Sequence, residues 1–296
     1  MKYVSLSQYL KKEYGEKYFK LSLSCATSCP NRDGVCGDKG CIFCSAKGSG
    51  DFAQSALLPI DKQIENAKAL VKNKSNNDKY IAYFQAFTST YGDTEYLRNV
   101  FFETIRRDDI AILSIATRPD CLGDEILEMI AQLNNIKPVW IELGLQSIFE
   151  CTAEYIRRGY ETKVYFDAVD KLRAIGVHII THIIIGLPYE NKEMIIETTK
   201  AVGEVSDGVK LQLLHVLKGT DLANDYENGK FTVLSMEEYA DILCGCIAVL
   251  PKDTVIHRLT GDGDKNTLIA PLWTKDKKRV LNFINHKIAK YERKES

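Results

Sequence analysis

The chain has 296 residues, of which 45% are apolar and 27% charged, and its formal net charge is -1. This composition is typical of a globular protein whose core is large enough to fold without disulfides. The balanced charge argues against a surface that grips nucleic acid non-specifically, and no apolar run reaches the roughly 18 residues of a membrane span.

The first predicted strand, residues 18–24, alternates aromatic or apolar with polar side chains and leads directly into a group of cysteines. From about residue 60, short apolar runs rich in β-branched residues alternate with longer amphipathic stretches. The further predicted strands are residues 80–86, 110–115, 139–143, 178–185, 209–214 and 255–259. The predicted helices are residues 60–71, 94–107, 123–133, 163–175, 191–205 and 235–250.

This alternation predicts an α/β fold of βαβ units with a parallel sheet and right-handed crossovers. Six or seven strands are too few for a closed eight-stranded barrel, so we expect a partial, open TIM-type (β/α)6 barrel with a C-terminal extension. In such folds the working residues gather where the strands end. We expect a core over residues 1–220, and an extension over residues 221–296 that packs on it. The extension ends in a basic tail, residues 275–296, with eight Lys or Arg against three Asp or Glu.

Nine cysteines require an explanation in a protein whose first twenty residues are too charged for a secretory leader. We expect a cytoplasmic protein, in which thiols stay reduced. Five cysteines crowd into one segment, which indicates metal binding: Cys25, Cys29, Cys36, Cys41 and Cys44. The spacing leaves three interpretations open. They are an iron–sulfur cluster, a structural zinc site, which usually uses two C-x-x-C pairs, and a redox dithiol of Cys41 and Cys44.

A set of ordered motifs carries a resemblance that extends over nearly the whole chain. They are CPNRDG at 29–34, GCIFC at 40–44, YFQAFT at 83–88, TRPD at 117–120, ELGLQS at 142–147, GLP at 186–188, LHVLKGT at 214–220 and HRLTGD at 257–262. Together they resemble a radical S-adenosylmethionine (SAM) family often labelled YhcC-like or YtqA-like. That family is itself similar to the radical-SAM domain of the Elongator catalytic subunit.

The resemblance implies a [4Fe-4S] cluster held by Cys29, Cys41 and Cys44. The fourth iron then binds the amino and carboxylate groups of SAM. One electron from a flavodoxin- or ferredoxin-type donor cleaves SAM to a 5′-deoxyadenosyl radical. Cys25 and Cys36 lie outside the family pattern, and are either bystanders or ligands of a remodelled cluster.

The resemblance also carries SAM contacts onto residues that follow the strands. Residues 85–88 lie where relatives have a glycine-rich turn for the methionine amino group, which implies contacts from Gln85 and from backbone carbonyls near Ala86. Glu142 and Gln146 correspond to contacts with the ribose or amino group. Arg158 corresponds to an arginine that pairs with the SAM carboxylate, a task that suits a planar guanidinium.

For the nucleoside, the resemblance places His182 at the ribose, and Phe43, His215 and the backbone near Val216 around adenine. Other interpretations stay open for several of these residues. Glu142 could pair with a neighbouring charge inside the barrel, and Arg158 could lie at the solvated end of a helix. His182 and His215 could be core residues whose ring nitrogens are hydrogen-bonded.

Candidate substrate residues lie at the rim and in the C-terminal region. Arg118 and Asp120 either bind substrate or form a salt bridge at the barrel rim. Lys218, His257 and Arg258 are further candidates, together with Asp262. The remaining cysteines sit in apolar patterns or lack ligand-like neighbours and are expected to pack in the fold: Cys121, Cys151, Cys244 and Cys246.

The leading functional hypothesis is a radical SAM enzyme that acts on tRNA, because the Elongator domain works on the wobble uridine. Maturation of the uridine C5 side chain is the reaction implied, such as trimming of a carboxymethylaminomethyl group to aminomethyl, and the basic tail could steer RNA phosphates. One alternative directs the same radical chemistry at a small molecule or peptide. A third interpretation is a non-catalytic electron-transfer or sensor protein that binds its cluster through four cysteines.

Overall fold

The computed structural model describes residues 3–48, 50–73, 78–261 and 263–295. The strands in these ranges are β1 (Val4–Ser5), β2 (Phe19–Leu23), β3 (Tyr80–Phe84), β4 (Ile110–Thr117), β5 (Val139–Gln146), β6 (His178–Ile185), β7 (Gly208–Leu213), β8 (Val216–Leu217), β9 (Val255–Arg258) and β10 (Leu268–Ala270). The α-helices are α1 (Leu6–Tyr14), α2 (Ile60–Val71), α3 (Thr94–Arg106), α4 (Asp124–Asn134), α5 (Glu150–Tyr155), α6 (Thr162–Ala174), α7 (Lys192–Gly203), α8 (Asp221–Glu227), α9 (Met236–Val249) and α10 (Lys277–Glu295).

Eight of these strands form one parallel sheet in the order β1-β9-β7-β6-β5-β4-β3-β2. Strands β2 to β7 follow one another in the chain and in the sheet, each joined to the next by helices, while β9 and β1 extend the β7 edge. This arrangement confirms the predicted α/β fold and the open barrel. The sequence does not predict β1, because two residues carry no alternation.

Several helices begin at N-capping residues that can be recognised in the sequence. Asp93 and Asn191 accept hydrogen bonds from the backbone of the first turns of α3 and α7, and Ser235 forms a reciprocal capping box with Glu238 at α9. Such caps satisfy donors that a helix start leaves without intrahelical partners. The six predicted helices lie within about two residues of the observed boundaries. The sequence does not predict α1, α5, α8 and α10.

The inside of the barrel is layered, because alternate residues of each strand face it. The layer nearest the strand starts is apolar and is packed against α1, through the buried side chains Leu10, Ile81, Ile112, Trp140 and Ile180. Helix α1 thus closes the N-terminal end of the barrel, and the opposite end, where the strands finish, holds the cavity described below.

The C-terminal residues are built into the same structure. Strand β9 pairs with β7, α9 packs against α7, and α10 packs against α9. Leu243 of α9 and Ile284 of α10 belong to one hydrophobic core together with Ile183 of β6. The division at residue 220 stays a prediction, and the two parts share this core.

Part of the basic tail lies in α10, and one of the cations of this helix forms ion pairs within the protein. Val280, Ile284 and Ile288 form its buried face, and Lys287 pairs with Glu237 and with Asp241 of α9, the latter at 3.0 Å. Among the described residues, no helix combines the length and apolarity that crossing a lipid bilayer requires.

Candidate active site and cofactor cavity

The three predicted cluster ligands lie on the loop between β2 and α2, beside the end of the barrel where the strands finish. Cys29, Cys41 and Cys44 all line one cavity of about 260 Å³. Burial raises the pKa of Cys41 to about 12, and the nearby thiols of Cys44 and Cys29 act in the same direction, whereas Arg118 opposes them. The thiol therefore stays protonated at neutral pH until a metal displaces the proton.

Two side chains fix the shape of the cysteine loop. The buried Asn31 amide donates hydrogen bonds to Cys41 Sγ at 3.4 Å and to the carbonyl of Arg157, which ties the loop to the turn after α5. Arg32 donates to the carbonyls of Cys44 at 3.0 Å and Ser45 at 2.7 Å. Backbone and side-chain contacts thus define the position of the cysteine loop.

Glycines let the cysteine loop lie directly against the end of β3. A Cβ at Gly48 would be 2.3 Å from the Phe87 ring, and one at Gly50 would be 2.4 Å from the Ala86 Cβ. The Phe87 amide also donates to the Gly48 carbonyl at 2.8 Å. A side chain at either glycine would push the loop away from the strand.

The chemistry of this cavity fits an iron–sulfur cluster with a bound cofactor. Within the described residues, no three His, Cys, Asp or Glu side chains converge closely enough to hold a single metal ion. A four-iron cluster is larger, and each cysteine binds a different iron, so its thiols need to surround a space. At the cavity wall, buried Thr88 Oγ1 has no hydrogen-bond partner among the described residues. A polar ligand would satisfy that hydroxyl.

The two cysteines outside the family pattern have different surroundings. Cys25 is buried and its thiol donates to the carbonyl of Ser89 at 3.4 Å. Cys36 is exposed, with its sulfur 4.0 Å from Asp120 Oδ2. Neither lines the cavity as the structure describes it.

Most of the residues predicted to contact SAM are brought together around the cavity. The predicted SAM residues among its lining are Phe43, Gln85, Glu142, Gln146, Arg158, His182 and His215. Ala86 is not among the lining residues and packs instead against Gly50. The roles of these residues toward SAM stay predictions.

Backbone strain is concentrated next to this cavity. Phe87 and Gln146, both in its wall, have φ values of +56° and +69°, and Arg157 beside it has +55°. Side chains other than glycine rarely adopt this conformation, and it persists where the surroundings over-determine it. The strain indicates that the strand ends are shaped for a function.

Glu142 is the centre of a polar layer inside the barrel, one layer above the apolar floor. Its Oε1 accepts from Lys20 at 2.6 Å and from Ser114 at 2.7 Å. Its Oε2 accepts from Lys210 and, at 2.8 Å, from His182 Nε2. The side chain thus pairs with barrel charges, the alternative that the sequence left open, and it also lines the cavity.

The protonation states of this layer follow from its burial and charges. Burial opposes ionisation of Glu142, but Lys20 and Lys210 hold its pKa well below the usual 4.5. Burial and the charge of Lys210 lower the pKa of His182 to about 4. The imidazole is therefore neutral at pH 7 and donates from Nε2 to the carboxylate.

Arg158 is almost fully buried and its guanidinium organises backbone. Its N–H groups donate to the carbonyls of Leu145, Ser147 and Tyr160 and to Thr162 Oγ1, at 2.7 to 3.2 Å, with Glu150 at 3.5 Å. All five donors of an arginine are thereby engaged. In this geometry Arg158 supports the strand end rather than offering a fork to a carboxylate.

Arg118 and Asp120 form a bidentate salt bridge at the rim, with N–O distances of 2.9 and 2.7 Å. Arg118 also donates to the carbonyl of Arg158 at 2.7 Å and lines the cavity, whereas Asp120 does not. The Tyr160 ring lies between both guanidiniums, 5.0 Å from Arg118 and 4.5 Å from Arg158.

The other candidate substrate residues are dispersed. Arg258 lines the cavity. Lys218 is exposed. His257 packs edge-on against Trp140 at 5.3 Å, near the closed end of the barrel, and burial holds its pKa well below 6.5. Asp262 lies outside the described residues.

Sequence reasoning missed the lysines of the polar layer, Lys20 and Lys210. Each is a charged residue in the middle of an otherwise apolar strand, in FKLSL and GVKLQL. That pattern signals a charge that faces the barrel interior and needs a partner. The partner, Glu142, is 122 and 68 residues away in the chain, so no local pattern identifies it.

Comparison with known proteins assigns the chain to a class. A model of the radical SAM superfamily matches residues 29–202, and a model of the radical SAM C-terminal domain matches residues 206–290. A solved structure of the archaeal Methanocaldococcus infernus Elp3 shares the fold with a TM-score of 0.62 and 19% identity, over 86% of this chain and 59% of that one. The chain therefore belongs to the radical SAM superfamily, whose members use a [4Fe-4S] cluster and SAM.

Within that superfamily the chain groups with the YtqA and YhcC proteins. It is 42% identical to YtqA of Bacillus subtilis over 97% of its own length and 89% of the relative, and 34% identical to YhcC of Escherichia coli over 90% and 86%. A more distant relative is the tRNA uridine(34) acetyltransferase of Methanocaldococcus jannaschii. It is 27% identical over 51% of this chain and 28% of the relative.

Proposed function

We propose that this radical SAM enzyme modifies the C5 side chain of the wobble uridine in tRNA. Trimming of a carboxymethylaminomethyl group to aminomethyl is the reaction to test first. The observation that carries the proposal is the similarity to a protein named as a tRNA uridine(34) acetyltransferase. The shared fold with an archaeal Elp3 agrees with it.

For the cofactors, we propose that Cys29, Cys41 and Cys44 hold the cluster. We place SAM against Phe43, Gln85, Gln146, His182 and His215, with Ala86 supporting the loop. When bound, the cluster and SAM supply reductive cleavage of the sulfonium, which yields the 5′-deoxyadenosyl radical. The common cavity that these residues line supports this placement.

The chain's own residues orient the cofactors and exclude water. Arg158 fixes the end of β5 through backbone carbonyls, and the apolar layer closed by α1 blocks access from below. His182 presents a neutral ring at the cavity wall, where it keeps its proton on Nε2 toward Glu142. These contacts preorganise the site and close it on the side of α1, which favours control of reactive intermediates.

We propose a flavodoxin- or ferredoxin-type electron donor and a cytoplasmic location. All nine cysteines lie within the described residues and are thiols, which agrees with a reducing compartment. The cations of α10 that do not pair with α9 are candidates for steering RNA phosphates.

The test is an anaerobic assay of reconstituted protein with SAM and dithionite, with and without tRNA whose wobble uridine carries the carboxymethylaminomethyl group. We expect tRNA to stimulate formation of 5′-deoxyadenosine, and mass spectrometry of its nucleosides to show loss of the carboxymethyl mass. The matched control is the same tRNA with an unmodified wobble uridine. Equal 5′-deoxyadenosine with both tRNAs and no change in nucleoside mass would reject the proposal and favour a small-molecule or peptide substrate.

A further inference from the structure

The polar layer at the centre of the barrel contains two lysines and a single carboxylate. Both ammonium groups contact Glu142, and its other two donors, the Ser114 hydroxyl and the His182 imidazole, are neutral. Among the described residues that contact Glu142, two cations therefore share one anion. A buried charge that lacks an opposite charge is unfavourable.

The two lysines are also held close to one another. Both contact the Tyr83 ring, whose centroid is 4.5 Å from Lys20 Nζ and 4.3 Å from Lys210 Nζ, and the Tyr83 hydroxyl is 3.0 Å from Lys210 Nζ. The side chains of Lys20 and Lys210 are 20% and 4% exposed. These ammonium groups are therefore fixed in position rather than spread into solvent.

Access to this pair is possible from one side. One side of the polar layer is closed by the apolar layer that α1 covers. The apolar side chains stand two residues earlier in the same strands than Tyr83, Ser114, Glu142 and His182. On the other side, Tyr83, Glu142, His182 and Lys210 line the cavity that the three cysteines also line. A ligand can therefore reach Lys210 through the cofactor cavity, whose lining does not include Lys20.

We propose that Lys20 and Lys210 bind a terminal anionic group of the substrate, a carboxylate or a phosphate, at the centre of the barrel. This inference rests on the proposed use of the cavity for substrate. Because Glu142 is fully buried and Lys210 nearly so, the anionic group must stand on a narrow stem. A phosphodiester of an RNA backbone is not a terminal group, so the anion belongs to the modified side chain or to a small substrate.

The electrostatics of Lys210 agree with this assignment. Burial lowers its pKa well below 10.5, and Lys20 and Arg258 add to that effect against the attraction of Glu142. An anion beside the ammonium favours its charged form. The titratable or charged groups that face Lys210 come from β2, β3, β5, β6 and β9: Lys20, Tyr83, Glu142, His182 and Arg258.

The test uses anaerobic calorimetric titration of the reconstituted protein, with SAM bound and ionic strength held constant with sodium chloride. The probes are acetate, inorganic phosphate and the neutral acetamide. We expect acetate or phosphate to bind and acetamide not to bind. Stronger acetate binding identifies a carboxylate as the natural group, and stronger phosphate binding identifies a phosphate.

Variants locate the site of binding. Lys210→Met should weaken binding of the preferred anion at least tenfold, whereas Lys200→Met, on the exposed face of α7, should leave it unchanged. If Lys210→Met does not fold, the charge-balanced Lys210→Met/Glu142→Gln variant and the single Lys20→Met variant provide the same comparison.

Three results would overturn the inference. They are binding of neither anion, binding that Lys210→Met and Lys20→Met leave unchanged, and anion binding that occurs only when SAM is omitted, which would assign the lysines to the cofactor. The titration involves neither tRNA nor turnover. Loss of the tRNA activity with intact anion binding would therefore reject the proposed function alone.

Discussion

The Asn31 amide directs its two hydrogens to acceptors of different kinds, the Cys41 sulfur and the Arg157 carbonyl. Hydrogen bonds to cluster sulfurs are among the factors that set reduction potentials. A donor at Cys41 would spread the thiolate charge and stabilise the reduced cluster. We therefore expect one side chain both to anchor the cysteine loop and to tune the proposed cluster.

We predict that Asn31→Asp lowers the reduction potential of the cluster by on the order of tens of millivolts, because the carboxylate removes the donor. The measurement is a potentiometric titration followed by electron paramagnetic resonance. Asp38→Asn, on the exposed part of the same loop, is the control and should leave the potential nearly unchanged. An unaltered potential in Asn31→Asp would show that the hydrogen bond does not affect the cluster.

The neutral state of His182 can be tested through the pH dependence of stability. Its folded pKa of about 4 lies below the unfolded value of 6.5, so between these pH values the unfolded chain binds more protons. Stability therefore rises with pH across this window, by at most about 1.4 kcal/mol per pH unit for one group. His182→Gln should make that slope shallower in urea unfolding of the apoprotein. A slope identical to the wild type would mean that the imidazole is not held neutral.

For the secondary-structure elements, the sequence predicts the strands better than it predicts which side chains of different strands come into contact. The apolar runs locate β6 and α2 to the residue, since buried strands and amphipathic helices each have a local signature. The Lys20–Glu142–Lys210 layer has no such signature, because curling of the sheet joins β2, β5 and β7. The family motifs predicted most of the SAM residues that line the cavity. Closure of the barrel by α1 was identified only from the structure.

The close packing of the cysteine loop against the end of β3 can be tested by a substitution at Gly50. Gly50→Ala would place a methyl group 2.4 Å from the Ala86 Cβ and 3.0 Å from its Cα, and a backbone atom cannot yield as a side-chain end can. We expect the cysteine loop to shift away from β3 and SAM to bind at least tenfold more weakly, as measured by equilibrium dialysis of the reconstituted protein.

The control for this change is Gly123→Ala, since a Cβ there meets nothing within 4 Å. It should bind SAM as the wild type does. Equal SAM affinity in Gly50→Ala and Gly123→Ala would show that close docking of the loop against β3 is not required.

At the scale of the whole molecule, one hydrophobic core extends from β2 to α10, through Leu21, Ile183, Leu243 and Ile284. Two segments that share a core are expected to unfold together. The proposed extension over residues 221–296 is therefore an integral part of the barrel's stability rather than an appended unit.

We predict that Ile284→Ala lowers the free energy of unfolding by about 3 kcal/mol and that the apoprotein still unfolds in a single transition. Circular dichroism and tryptophan fluorescence in urea should report the same midpoint. Asn285→Ala, on the exposed side of α10, should have little effect. Two separate transitions would contradict a shared core and support an independent C-terminal unit.

We propose that three cysteines, and not all five of the segment, hold a cluster that cleaves SAM. The most direct measurement compares the wild type with Cys29→Ser and with the exposed-loop control Cys36→Ser, each reconstituted anaerobically. The readouts are iron per chain and 5′-deoxyadenosine formed with dithionite. We predict about four irons and SAM cleavage in the wild type and Cys36→Ser, and loss of both in Cys29→Ser. A Cys29→Ser protein that retains a full cluster and cleaves SAM, or a Cys36→Ser protein that does neither, would contradict it.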